Sequence, residues 1–310
     1  MEETRFIGCL LGCAVGDALG QPIEAFPPER LRRDFGEIRD FMPGDTRFAL
    51  PLGAGQWTDD TQLTLDLARS IVRCGKVDPE DIAREFLADH ETAGIRFSGF
   101  TIKYSLMRLK RGLPWDQSAI EDEEAQGNGS AMRVAPVGLF DCRHPDRLPE
   151  DARLAGIITH RHPETIAGSL AVASLVARAA GTLNLATAID DTIALIGPCR
   201  VADNLRLAQR LLATDISTAD ALVEIGTTGW VVHTVAAAAY CFLKTPTDFE
   251  RSIIDAVMGG YDADTTAAIT GAISGAYNGE ASIPLRWRTD VESADEIRAL
   301  AQALWKLQSD

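Results

Sequence analysis

The chain has 310 residues, 46% hydrophobic and 24% charged, a globular balance with enough apolar material for a large core. The formal net charge is −15, and no stretch gathers Lys and Arg into a basic stripe, which argues against direct nucleic-acid binding. No Pro/Gly/Ser-rich linker, low-complexity tract or charge discontinuity divides residues 1–310, so a single domain is expected.

Met1 to Leu11 carries two acids and one Arg ahead of a short apolar run, which is not the layout of a signal peptide, and a cytoplasmic location is expected. The cysteines, Cys9, Cys13, Cys74, Cys142, Cys199 and Cys241, form no Cys-x-x-Cys or Cys/His pattern, so reduced thiols are expected.

Apolar residues recur mainly at helical spacing, and the expected class is all-α. Gly8 to Gly20 reads as a Gly/Ala-rich helix carrying Asp17, a buried capping or hydrogen-bonding acid in its plainest reading. After the Gly-Pro break stands Glu24, where a mobile segment could present it to a substrate as a general acid or base. Pro27-Pro28, Pro43-Gly44 and Pro51 to Gly55 mark turns. Phe35 to Gln56 is the longest stretch without periodicity, a long loop of the kind that borders sites.

Trp57-Thr58-Asp59-Asp60-Thr61 sets two carboxylates and two hydroxyls directly ahead of a helix with Leu63, Leu67 and Ile71 on one face. Such residues are good helix caps, and capping alone would account for them. Asp81 to Ala88 is a further amphipathic stretch. Gly127-Asn128-Gly129, running on to Arg133, is a turn whose N–H groups could hold phosphate oxygens, although a lone Gly-x-Gly is more often an ordinary turn. In Thr159-His160-Arg161-His162-Pro163 the two histidines read first as polar caps.

Ile166 to Ala180, Val231 to Leu243 and Thr266 to Tyr277 are rich in small and apolar residues but fall short of clean membrane spans, so buried central helices are expected. Gly197-Pro198 marks a turn between the first two. Gly271 and Gly275, four apart, each cost a helix about 1 kcal/mol relative to Ala, which close approach of a neighbouring helix would offset.

A second acidic run, Gly259 to Thr266, brings Asp262, Asp264 and Thr265 to the start of that last helix. Its spacing lacks the later acids and the glycine of a calcium-binding EF-hand loop. With Thr58, Asp59 and Asp60 the two runs offer enough oxygen donors for two hard cations such as Mg²⁺ or Mn²⁺.

In this order, Gly16 to Gly20 with Glu24, Trp57 to Thr61, Gly127 to Arg133, Thr159-His160 and Gly260 to Thr265 resemble the ADP-ribosylglycohydrolase family, over Gly8 to about Trp287. The resemblance implies a compact all-α orthogonal helical bundle with a binuclear Mg²⁺ or Mn²⁺ centre at the bottom of an ADP-ribose cleft. It implies Thr58, Asp59, Asp60, Asp262, Asp264 and Thr265 as metal ligands, and Glu24, on a movable flap, Asp59 or Asp60 as the acid or base. Gly127, Asn128 and Gly129 match the turn near the diphosphate and ribose, and His160 matches a ligand-contacting histidine.

The chain departs from the pattern at Ala125-Gln126, where a hydroxyl residue often precedes the turn, and at His233, where an acid is expected. The implied activity is metal-dependent removal of ADP-ribose from a mono-ADP-ribosylated target, with arginine the favoured linkage. Serine, acetyl or small-molecule ADP-ribosyl compounds are alternative substrates, and an inactive ADP-ribose-binding member is the rival from another class.

Overall fold

The computed structural model describes residues 2–44, 52–92 and 94–309. Part of the expected Phe35 to Gln56 loop, residues 45–51 including Pro51, lies outside the described residues. Among the described residues the secondary structure is helical apart from two isolated bridges, Ile120 with His160 and Gly127 with Trp230. This agrees with the all-α expectation.

The helices in chain order are α1 (Glu3–Gly20), α2 (Pro28–Asp34), α3 (Asp59–Cys74), α4 (Pro79–Thr92), α5 (Phe100–Lys110), α6 (Ala135–Phe140), α7 (Leu148–Gly156) and α8 (Pro163–Ala180). They continue as α9 (Ala188–Ile196), α10 (Arg200–Leu212), α11 (Thr218–Ile225), α12 (Val231–Lys244), α13 (Phe249–Val257), α14 (Ala263–Asn278), α15 (Leu285–Asp290) and α16 (Ala294–Lys306). One hydrophobic cluster runs from Phe6 in α1 to Leu304 in α16.

The centre of the molecule is the antiparallel pair α1 and α14. A Cβ added to Gly12 would lie 2.2 Å from the Gly271 carbonyl oxygen, and one added to Gly275 would lie 1.9 Å from that of Gly8. The same crowding recurs at Gly16 against Ala267 and at Gly20 against Asp264. Four-residue spacing places these glycines in one row of α1, so the two backbones touch where side chains would otherwise separate them. The neighbour required by Gly271 and Gly275 is thus α1, itself buried on every side from Phe6 onward.

Leu63, Leu67 and Ile71 bury the inner face of α3, each contributing about 2 kcal/mol by removal of apolar area from water. The Asp81 to Ala88 stretch lies in α4, which buries Ile82, Ala83 and Phe86. The three apolar segments form α8, α12 and α14, mostly buried as expected. The cysteines are free, with Cys9, Cys13 and Cys241 buried and the others half-buried. Because α1 and α14 are antiparallel, the C-terminal end of α1 meets the N-terminus of α14, and the N-terminus of α3 joins them there.

Candidate active site

Carboxylates and hydroxyls ahead of a helix usually bond its first N–H groups. Here the residues that precede the two helices do not act that way: Thr58 before α3 and Asp262 before α14 make no side-chain cap, although inside the first turn of α14 Asp264 Oδ1 accepts from Thr265 N at 2.9 Å. Asp17 of α1 performs this role for α3 from outside the helix. Its carboxylate accepts from Thr58 N at 3.0 Å, Thr58 Oγ1 at 2.8 Å, Thr61 N at 3.0 Å and Thr61 Oγ1 at 2.6 Å. Asp17 is therefore the buried hydrogen-bonding acid that the sequence suggested, and it leaves Asp59 and Asp60 free for other work.

Two groups of carboxylate oxygens follow, each with its atoms within 4.8 Å of one another: Asp17, Asp60 and Asp264, and Glu24, Asp262 and Asp264. Asp264 belongs to both. Among the described residues Asp60 Oδ1 is buried with no hydrogen-bond partner, while Thr265 Oγ1 donates to Asp60 Oδ2 at 3.3 Å. Asp59 lines the same cleft but belongs to neither group. Glu24 is held beside Asp262 by two backbone bonds, Ala25 N to Tyr261 O at 2.6 Å and Tyr261 N to Phe26 O at 2.7 Å. Ala25 and Tyr261 both adopt positive φ, 66° and 52°, a local strain of the kind that collects at functional sites.

Burial sets the electrostatics. It pushes Asp59, Asp60 and Asp264 well above the ordinary carboxylate range, reinforced by the charge of Asp17 on the first two and of Glu24 on the third. Glu24 is raised to about 7, first by burial and then by the charges of Asp262 and Asp17. Asp262 is raised by burial to about 6, held back by hydrogen bonds from Asn128, Thr265 and Thr234. The positive ends of α3 and α14 also oppose this crowding of acids. Oxygen-only donors around an unpartnered buried carboxylate oxygen fit a hard divalent cation.

The cleft above these acids has a volume of about 250 Å³, and Gly127, Asn128, Gly129, His160 and Gly229 form one wall. Asn128 Nδ2 donates to Thr234 Oγ1 at 2.9 Å and to Asp262 Oδ2, tying the glycine turn to the acidic floor. Asn128 N is spent on Gly229 O, whereas Gly129 N finds no acceptor among the described residues.

The two histidines separate. His162 caps α8 by accepting from Glu164 N at 3.1 Å, as expected of a polar cap, while His160 is buried against the cleft. Gln126 does not replace the hydroxyl missing before the turn. Its Oε1 accepts from Trp230 Nε1 at 2.9 Å and Arg200 Nη2 at 2.8 Å. His233 shares a hydrogen bond with Thr228 and meets Trp230 edge-on, 4.7 Å between ring centroids.

The structure thus gathers Glu24, Asp59, Asp60, Asp262, Asp264, Thr265, Gly127, Asn128, Gly129 and His160 around one cleft. Thr58 lies behind it, with its hydroxyl proton directed to Asp17. Sequence reasoning missed that Asp17 joins a carboxylate group of the floor. The available signal was its place one residue after Gly16, near the C-terminal end of the glycine row of α1.

Residues 2–310 match the family model described as ADP-ribosylglycohydrolase. The ADP-ribosyl-[dinitrogen reductase] glycohydrolase of Rhodospirillum rubrum is 30% identical, over 98% of this chain and 97% of that protein. The ADP-ribosylarginine hydrolase Tri1 of Serratia proteamaculans is 28% identical, over 96% of this chain and 78% of that protein. A solved structure titled "ADP-ribosylglycohydrolase-related protein complex" superimposes with a TM-score of 0.73 at 32% identity, covering 98% of each chain. The cleft, its acidic floor and these matches along nearly the whole sequence agree, and the chain belongs to the ADP-ribosylglycohydrolase family of hydrolases.

Proposed function

We propose that this protein is a metal-dependent hydrolase that removes ADP-ribose from mono-ADP-ribosylated targets, with arginine as the modified group. The observation that carries the reading is the pair of carboxylate groups sharing Asp264 beneath a cleft walled by Gly127, Asn128, Gly129 and His160. Two Mg²⁺ or Mn²⁺ ions fit there, with Asp60, Asp262, Asp264 and Thr265 as donors, Asp17 completing the first group and Thr58 behind it. Bound cations supply Lewis-acid charge for the ribose hydroxyls and the diphosphate and make nearby water more acidic, which a chain of net charge −15 otherwise lacks.

The chain's own groups do the rest. Asn128 holds the turn against Asp262, so Gly129 N and His160 face the ribose and diphosphate side of the ligand. Cleavage occurs at the ribose anomeric carbon through a transition state of oxocarbenium character, as in glycoside hydrolysis. With positive charge at Asp262 and Asp264, Glu24 ionises at neutral pH and accepts a proton from the attacking water. Asp59, outside both groups, faces the cleft as the second acid. The name of the Serratia relative supports the arginine linkage.

The test is release of free ADP-ribose from an ADP-ribosylarginine protein and from an ADP-ribosylserine peptide, each with Mg²⁺, Mn²⁺ or EDTA. Metal-dependent release from the arginine substrate is expected. Release from the serine peptide alone overturns the linkage, and tight ADP-ribose binding without release from either overturns both these activities.

A further inference from the structure

Arg133 lies deep in the protein, 1% exposed, with no carboxylate within ion-pairing distance among the described residues. The charge of Asp59 acts on it from beyond that distance, and a buried cation with no direct ion pair is costly unless hydrogen bonds replace its hydration, so its contacts indicate why the position holds Arg. Nη1 donates to Gly129 O at 2.9 Å, inside the glycine turn of the cleft. Nη2 donates to Ala155 O at 3.2 Å, in the last turn of α7, where the helix dipole favours positive charge. Nη2 also donates to Thr159 Oγ1 at 2.7 Å. The guanidinium lies over the Phe86 ring, 4.8 Å from its centroid, which locks its plane.

The contact with Thr159 has a consequence one residue on. Thr159 Oγ1 lies 2.8 Å from His160 Nδ1. A guanidinium can only donate, so the threonine oxygen accepts from Arg133 and its own proton needs an acceptor. Among the described residues His160 Nδ1 is the one within reach. Nδ1 therefore accepts, and the ring proton sits on Nε2, on the side of the ring that faces the glycine turn. A Cβ on Gly129 would lie 3.0 Å from Nε2, and the cleft opens between these two residues.

We propose that Arg133 and Thr159 form a positioning relay that fixes His160 as a neutral Nε2–H donor aimed into the cleft and holds the glycine turn at the same distance from it. The relay rests on the reading of the cleft as an ADP-ribose site only for the ligand's identity. Its recognition target is an oxygen acceptor of the ligand, a phosphate or ribose oxygen. His160 then acts as a fixed donor and transfers no proton in the reaction. Burial and the Arg133 charge, which hold the imidazole down to about 3, agree with a ring that stays neutral.

Nitrogen-15 NMR of the histidine rings in the ligand-free protein tests the relay separately from any activity. The expected spectrum has His160 protonated on Nε2 from pH 5.5 to 8. Thr159→Val, which preserves shape and removes the hydroxyl, is expected to lose that signature, and Thr159→Ser to keep it. Calorimetry with ADP-ribose on the same proteins is expected to show affinity about tenfold weaker for Thr159→Val and near wild type for Thr159→Ser. A wild-type ring protonated on Nδ1, or charged at pH 6.5, overturns the relay, as does an unchanged signature in Thr159→Val. If the tautomer behaves as expected but none of the proteins, wild type included, binds ADP-ribose, the ligand assignment fails and the relay stands.

Discussion

Asp17 Oδ2 accepts both the backbone N–H of Thr61, at 3.0 Å, and its hydroxyl, at 2.6 Å, so an acid of the first helix caps a helix that begins more than forty residues later. Asp17→Asn turns one of its two acceptor oxygens into an amide donor facing other donors. We expect a loss of about 2 kcal/mol in stability and at least tenfold in cation affinity. Thermal unfolding with and without Mn²⁺ measures both, and a variant with wild-type values would disprove the capping role.

The α1–α14 contact makes a sharper stability prediction. Gly12→Ala or Gly271→Ala forces a methyl group into a neighbouring carbonyl, and a cost of about 3 kcal/mol is expected. Gly99→Ala, in open space, should change stability by no more than about 0.5 kcal/mol. Chemical denaturation of the three variants gives the comparison, and equal effects would contradict the close approach of the two backbones.

The acidic floor predicts how stability responds to pH. Burial raises the folded-state pKa of Asp59, Asp60 and Asp264, with Asp262 near 6 and Glu24 near 7. From about 4, where unfolded carboxyls titrate, up through these values, the metal-free folded state binds more protons than the unfolded state. Stability contributed below pH 4 is therefore lost as pH rises. Cations favour the ionised acids, so the gap in unfolding temperature between Mn²⁺-loaded and EDTA-treated protein should widen from pH 5 to 8. A gap that narrows over this range would contradict the assignment of these acids as the cation site.

Much of the site was legible because its acids sit beside glycines and hydroxyls at helix starts, as at Thr58 to Thr61 and Gly260 to Thr265. The helices were legible where apolar spacing was strong, as at Leu63, Leu67 and Ile71. What local pattern does not encode is the partner. The need of Gly271 for a close neighbour was readable, but nothing near it in sequence points to Gly12, more than 250 residues away. Arg133 was part of a recognised run without a role, because its meaning depends on Ala155 and Thr159 from another segment. Gln126 and His233 read as departures from the family pattern, yet only packing reveals that Trp230 and Arg200 hold Gln126 and that Thr228 and Trp230 hold His233.

Asp264, common to both carboxylate groups, is the residue on which the proposed two-cation hydrolysis most depends. The most direct measurement is ADP-ribose release from an ADP-ribosylarginine protein by metal-stripped enzyme titrated with Mn²⁺, wild type beside Asp264→Asn. We expect no release in EDTA, full recovery near two equivalents of Mn²⁺, and a rate at least about a hundredfold lower in the variant. Release that survives EDTA, or wild-type turnover by Asp264→Asn, would contradict it.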